Sequence, residues 1–311
     1  MKAVLPALAR PLLEPRLPAS LDVAWFASRE EAVAMIADAD IAWVDMQRSV
    51  DTAAAIAAGR QLKWVSTIYA GVDPFDLPAL KSAGTILTNG VGINALAVAE
   101  YAVMGVLVAA KRFDQVVRQA DTRAWTIAAP GTVELHDTKA LIVGYGAIGR
   151  LIGDRLAAFG VGVTAVTRSG RDGTLTPDAW KRRIAEFDWI ILAAPSTGET
   201  HAMIGAEELA AMKPSAWLIN VARGDMVDQD ALIATLTACG IAGAFLDTVT
   251  PEPLPADHQL WTTPNAILTM HLSGRSQTTM FQRAAVLFLE NLAAFMAGAA
   301  MKNVVDLDAG Y

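Results

Sequence analysis

The chain has 311 residues, a formal net charge of −7, 53% hydrophobic residues, 18% charged residues and a single cysteine. Two domains of ordinary size fit that length, and the apolar content rules out a disordered chain. The acidic balance excludes a surface built for nucleic acid, which needs clustered Lys and Arg, and the lone Cys239 excludes an internal disulfide framework.

Short β-branched runs alternate with Ala-rich helical patterns, which predicts parallel sheets covered by helices, an α/β fold. The first hundred residues give strands at Lys2–Leu5, Asp22–Phe26, Ile41–Val44, Trp64–Ile68 and Ile86–Thr88, with helical stretches at Glu30–Ala37 and Ala53–Ala58. The N-terminal stretch is interrupted by Arg10, Pro11, Glu14 and Pro15 and reads as strand and loop rather than a secretory signal. The uncharged apolar run from Tyr101 to Ala110 is too short to span a bilayer, so a cytoplasmic location is expected. One long helix from Ala95 to about Arg118 is predicted as a bridge, followed by Trp125 and a turn-rich stretch. A second series of strands then runs Ala140–Val143, Val163–Thr167, Trp189–Ala193, Trp217–Asn220, Ala242–Leu246 and Ala266–Thr269, which suits a doubly wound sheet. A last helix is predicted at Thr278–Gly298.

The segment ALIVGYGAIGRLIGDRLAAFG places Gly144, Gly146 and Gly149 in GxGxxG spacing, directly after a strand and at the start of a helix. That context is what dinucleotide binding needs. The first glycine allows the tight turn, the second lets backbone approach a pyrophosphate, and the third lets helix and strand touch. The N–H groups at Ala147 and Ile148 open the helix, where anions are favoured. The next strand ends at Thr167 with Arg168, Ser169 and Arg171 following and no carboxylate. An NAD site ends this strand with an acidic residue for the ribose 2′-OH, whereas a guanidinium suits a 2′-phosphate, so NADP(H) is favoured and NAD(H) stays possible.

Three later segments carry acid–base groups: Arg223 in WLINVARGDMVD, Asp247 and Glu252 in GAFLDTVTPEPLP, and His271 in LTMHLSG. All follow the carboxyl ends of predicted strands, where such sheets bind ligands. Reducing a ketone develops negative charge on oxygen, which a cation and a placed acid stabilise. His136, His201 and His258 sit at no matching strand end and read as surface or loop residues; Cys239 has no base pattern near it.

With IYAGVDPFDL at 68–77, TNGVGINALAVAE at 88–100, the glycine loop, AAPSTGET at 193–200 and these three segments, nearly the whole chain resembles the D-isomer-specific 2-hydroxyacid dehydrogenase family. The resemblance implies a Rossmann-type NAD(P)-binding domain over 95–271 and a smaller, flavodoxin-like α/β substrate domain formed by 1–94 and 272–311. It also implies a homodimer acting on a small 2-oxo or 2-hydroxy acid. Carried over by position, Arg223 holds the substrate carboxylate and polarises the carbonyl, His271 moves the proton, and Glu252 orients the imidazole. Backbone at Ala70, Gly71 and Val72 takes the carboxylate, Asp247 orients the nicotinamide, and Pro195, Thr200, Val221, Ala222 and Gly274 line the cofactor.

The chain departs from the family where Met270 replaces the usual proline before the histidine, and Ser273 is expected to add a substrate hydrogen bond. Tyr69 either faces the substrate, which would select a short acid such as glyoxylate or hydroxypyruvate, or packs in the core. Trp125 either meets the partner subunit or packs internally. Two other functions fit the residues less well. NAD-dependent oxidation of a 2-hydroxy acid or of phosphite is disfavoured by Arg168. A non-catalytic nucleotide sensor like the family's corepressors is argued against by the absence of extra basic segments.

Overall fold

The computed structural model describes residues 1–46, 48–275 and 279–310. The chain divides into two compact units, one of Met1–Asn94 with Ser276–Tyr311 and one of Ala95–Arg275.

The first unit opens with β1 (Lys2–Pro6), α1 (Arg10–Leu13), β2 (Asp22–Phe26), α2 (Arg29–Ile36), β3 (Ile41–Ala42), α3 (Ser49–Ala58), β4 (Trp64–Ser66), α4 (Leu77–Ser82) and β5 (Ile86–Thr88). These strands form one parallel sheet in the order β2-β1-β3-β4-β5, the flavodoxin-like arrangement. Neighbouring residues feed opposite faces, as strand geometry requires: Trp64 packs in one core and Val65 in the other. Strands β3 and β4 are shorter than the apolar runs predict. Thr67 N–H still bonds to the Thr88 carbonyl at 3.0 Å, and the ladder ends beyond it, where Ile68 N–H turns to the Asp45 carboxylate at 2.6 Å.

The second unit begins with α5 (Ala95–Lys111) and α6 (Phe113–Asp121) in place of a single helix. The break is at Arg112, which takes φ 48, a left-handed conformation costly for a side chain. Its guanidinium is held by Asn265 Oδ1 at 3.0 Å and lies 5.5 Å from the Trp217 ring centre, contacts a continuous helix would not direct there. Next come β6 (Lys139–Val143), α7 (Ala147–Ala158), β7 (Gly162–Val166), α8 (Pro177–Lys181), β8 (Trp189–Leu192), α9 (Ala206–Ala211), β9 (Trp217–Asn220), α10 (Gln229–Thr237), β10 (Gly243–Leu246) and β11 (Ala266–Leu268). The sheet is parallel in the order β11-β10-β9-β8-β6-β7, and beyond β7 the position of a further strand is reduced to a bridge between Val166 and Leu175. Order reverses between β6 and β8, where the crevice of a doubly wound sheet opens.

The chain then returns to the first unit as α11 (Met280–Met296); Thr278, the predicted start, lies outside the described residues. Gly298, at φ 63, follows as the left-handed residue that ends many helices. Ala284, Ala285, Phe288 and Leu292 form the buried stripe of α11, and Phe288 stacks on Trp64 with ring centres 5.0 Å apart. Burying a side chain of that size contributes roughly 1.5–3 kcal/mol. No helix among the described residues is long and apolar enough to cross a membrane.

Candidate active site

The glycine loop joins β6 to α7 on the reversal side of its sheet. Gly144 has φ 94, and a Cβ there would lie 2.4 Å from the Ala194 nitrogen after β8. At Gly149 a Cβ would sit 2.0 Å from the Gly144 carbonyl oxygen. Neither site admits a side chain. Gly146 is different: a Cβ there meets nothing within 4 Å, so its lack of a side chain serves space outside the protein. Gly146 caps α7 without a side-chain hydrogen bond, which leaves the first amides of the helix, from Ala147 and Ile148 to Gly149, to an outside acceptor. The cradle fits a pyrophosphate.

At the end of β7, Thr167 N–H is taken by the Leu175 carbonyl and its hydroxyl pairs with Thr174 at 2.6 Å. A hollow of about 180 Å3 lies here, lined by Tyr145, Arg150, Thr167, Ser169, Arg171, Asp172 and Thr174, so one carboxylate shares it with two guanidinium groups. The Arg150 guanidinium rests over the Tyr145 ring at 5.3 Å. Arg168, expected in this position, pairs with Glu199 at 2.9 Å, both side chains exposed. Across the strand ends, Thr200 Oγ1 donates to the Pro195 carbonyl at 2.9 Å and accepts from Thr197 N–H at 2.8 Å, which fixes the 195–200 turn.

Two side chains from separate strand ends meet in the second unit, and the charge of a third, Arg223, acts on them. His271 Nδ1 lies 2.7 Å from Glu252 Oε2, and Glu252 Oε1 accepts Val249 N–H at 3.1 Å. Burial, the largest influence on Glu252, opposes its charge; the hydrogen bond and charge of His271, the Val249 amide and the charge of Arg223 outweigh it and hold the carboxyl below its usual range. An ionised carboxylate only accepts, so it selects the imidazole form with hydrogen on Nδ1. The other ring nitrogen, Nε2, is directed away from this bond. Arg223 follows β9 with extended backbone and donates to the Ala222 carbonyl at 2.8 Å. Gly224 after it is required, since a Cβ there would lie 2.2 Å from the Val249 carbonyl carbon.

Two buried polar residues shape these loops. Asn220 accepts Ala222 N–H at 3.0 Å and donates to the Arg223 carbonyl at 2.8 Å, fixing the turn through Val221. Asp247, 1% exposed, accepts from Thr269 Oγ1 at 2.8 Å, Leu272 N–H at 2.9 Å and Ser273 N–H at 3.2 Å, while its carbonyl accepts His271 N–H at 2.6 Å. The carboxylate assigned from sequence to the nicotinamide thus grips the histidine loop, with one acceptor position left over. Ser273, 5% exposed, sits within that grip rather than on an open surface, and Gly274 follows it. Met270 and His271 both adopt left-handed backbone, φ 54 and 56, which proline cannot reach; the departure from the usual proline is thereby explained.

In the first unit, the 67–72 loop carries no catalytic side chain. Tyr69 is partly buried against the core, and its hydroxyl donates to the Met46 carbonyl, so the ring is tied inward. Among the described residues, the N–H groups of Ala70, Gly71 and Val72 donate to no protein acceptor. His136 and His201 are exposed, and His258 Nδ1 accepts the Leu260 amide at 3.1 Å in a local turn.

The family model of the D-isomer specific 2-hydroxyacid dehydrogenase NAD binding domain matches residues 103–273. The chain belongs to this family. A glyoxylate/hydroxypyruvate reductase B of Pectobacterium atrosepticum is 32% identical over 256 residues, 79% of this chain and 79% of the relative. A D-isomer specific 2-hydroxyacid dehydrogenase family protein of Aeromonas salmonicida has a TM-score of 0.86 at 28% identity, covering 99% of both chains. The NADPH-dependent glyoxylate/hydroxypyruvate reductase of Sinorhizobium meliloti, solved with NADP and malonate, has a TM-score of 0.80 at 25% identity over 99% of this chain and 98% of that one. As a D-2-hydroxyacid dehydrogenase family member, the protein is an oxidoreductase, and its second unit carries the NAD(P)-binding fold.

Arg150, Asn220 and Asp45 carry no motif in the sequence, although Arg150 directly follows the third glycine. An asparagine at a strand end, like Asn220, is too common a turn residue to signal anything by itself.

Proposed function

We propose that this dehydrogenase reduces a short 2-oxo acid, of the glyoxylate and hydroxypyruvate type, to the D-2-hydroxy acid and favours NADPH over NADH. The observation that carries the reading is the Glu252–His271 pair, 2.7 Å apart, with Arg223 close enough to act on the same carboxylate. When bound, the nicotinamide supplies the two electrons that reduce C2. The chain supplies the rest. His271, its Nδ1–H held by ionised Glu252, gives the Nε2 proton to the carbonyl oxygen and takes it back in the reverse direction. Arg223 polarises that carbonyl and holds the substrate carboxylate. In the first unit, the amides of Ala70, Gly71 and Val72 are donors suited to a carboxylate.

On the cofactor side, Gly146 to Gly149 receive the pyrophosphate, and Thr167, Arg168 and Ser169, joined by Arg150 and Arg171, receive a 2′-phosphate. Pro195, Thr200, Val221, Ala222 and Gly274 border the nicotinamide half, and the spare acceptor of Asp247 takes its carboxamide. The relatives' names support the substrate class, since the Pectobacterium and Sinorhizobium proteins are glyoxylate/hydroxypyruvate reductases.

Trp125 and Ile127 are 95% and 99% exposed, a cost in water that a partner subunit would remove, which supports a homodimer joined through this arm. Monitoring consumption of NADPH and NADH with glyoxylate and with hydroxypyruvate tests the function. Turnover faster with NADPH is expected; no turnover with any short 2-oxo acid would return the protein to the sensor class.

A further inference from the structure

A carboxylate sits just past the end of β3 that no step above uses. Asp45 is partly buried and touches no substrate group in the proposed reaction. Its Oδ1 accepts from the Thr67 hydroxyl at 2.6 Å, and its Oδ2 accepts from Ile68 N–H at 2.6 Å and from Trp43 Nε1–H at 2.8 Å. Two of these donors belong to the loop that begins where β4 ends.

The arrangement has a direction. The Thr67 hydroxyl spends its hydrogen on Asp45, so a lone pair is turned toward Tyr69 N–H, which donates to it at 3.1 Å. The amides of Ile68 and Tyr69 are therefore both consumed on the Asp45 side. From the other side, Gly90 N–H donates to the Tyr69 carbonyl at 2.8 Å and Asn89 Nδ2 to the Ala70 carbonyl at 3.0 Å. Gly90 must be glycine, because a Cβ there would lie 2.0 Å from the Ile68 carbonyl oxygen. With the carbonyls drawn to one side and the first two amides to the other, the next amides in line, at Ala70, Gly71 and Val72, are left over. Successive unpaired N–H groups of this kind form an anion-binding concavity.

We infer that Asp45 is a positioning residue for substrate: its carboxylate sets the 67–72 loop so that the amides of Ala70 to Val72 face a carboxylate anion. Desolvation, the largest influence, lifts the Asp45 carboxyl to about 6 against the pull of its three hydrogen bonds. A carboxylate kept at that cost, where an apolar residue would fill the space, is consistent with service as an acceptor. The inference rests on the proposed 2-oxo acid reductase reading.

The test compares wild type with Asp45→Asn, Asp45→Ala and Thr67→Val in the full chain. It measures kcat and KM for glyoxylate, affinity of the NADPH complex for oxamate, and affinity for NADPH alone. Misplacing the amides should raise KM and weaken oxamate ~10-fold or more in Asp45→Ala, with a smaller loss in Asp45→Asn and in Thr67→Val. kcat should stay within threefold and NADPH affinity should not change, a split that general loss of structure would not produce. Should Asp45→Ala fold poorly, Asp45→Asn and Thr67→Val still carry the test. Unchanged KM and oxamate affinity in the variants, with a wild type that binds oxamate, overturns the role of Asp45 alone. A wild type that neither binds oxamate nor turns over glyoxylate overturns the reductase reading and this inference with it.

Discussion

The two units use a similar device for different ends. Asp247 after β10 and Asp45 after β3 each grip a neighbouring loop through side-chain oxygens, three donors apiece. The loop held by Asp247 presents a side chain, the imidazole of His271, backed by a second carboxylate. The loop held by Asp45 presents only backbone amides. A strand-end carboxylate can thus hold a loop through its acceptors, whether that loop presents a side chain or bare backbone.

The greatest effect on the first unit should come from its core. Phe288→Ala removes the ring stacked on Trp64 and should cost about 3–5 kcal/mol of that unit's stability. Chemical denaturation followed by tryptophan fluorescence reads the loss. NADPH affinity should change less than twofold under native conditions, and a parallel collapse of cofactor binding would contradict the independence of the two cores.

In the second unit, Glu252→Gln keeps the shape but removes the carboxylate charge that faces His271 Nδ1 at 2.7 Å. A fall in kcat by about one to two orders of magnitude is expected, with NADPH affinity retained. An undiminished kcat would deprive the carboxylate of its role.

Stability should respond to pH in opposite senses. The Asp45 carboxyl is raised, so the folded protein keeps a proton the unfolded chain releases. Its contribution falls as pH climbs from the ordinary carboxylate range to about 6, by on the order of 2 kcal/mol after allowing for partial exposure. Glu252 is lowered, so its contribution is present above the ordinary glutamate range and is lost as pH drops through the folded value. Melting curves of wild type and Asp45→Asn between pH 4 and 7 isolate the first effect. The variant should lose the decline, and an identical decline would assign it elsewhere.

The smallest expected effect concerns the cofactor. Arg168→Asp should weaken NADPH about tenfold while NADH changes little, as measured by fluorescence titration. Equal weakening of both would detach Arg168 from the 2′-phosphate. Glu199, its partner here, already competes for that guanidinium, which is why the loss is modest.

The parts of this molecule that were legible in its sequence share a property: they are side chains, or glycines, with a fixed spacing. GxGxxG between a strand and a helix, and Arg223, Glu252 and His271 at strand ends, declare their chemistry by residue type. Both parallel sheets followed from alternating apolar runs. The 67–72 loop stands out only through resemblance, because backbone amides look alike at every residue. Asp45 escaped because an aspartate after a short strand reads as a turn residue. The break at Arg112 escaped because apolar periodicity continues across it; the residues that hold Arg112, Asn265 and Trp217, are distant in the chain. Met270 stands out in the sequence as an exception, but its residue type does not declare its left-handed backbone.

The central claim, that His271 held by Glu252 is the proton donor, is tested most directly by His271→Gln. Glyoxylate reduction and NADPH affinity are measured on the same preparation. The account predicts a loss of about two to four orders of magnitude in kcat with NADPH affinity unchanged. A variant that reduces glyoxylate within tenfold of wild type would contradict it.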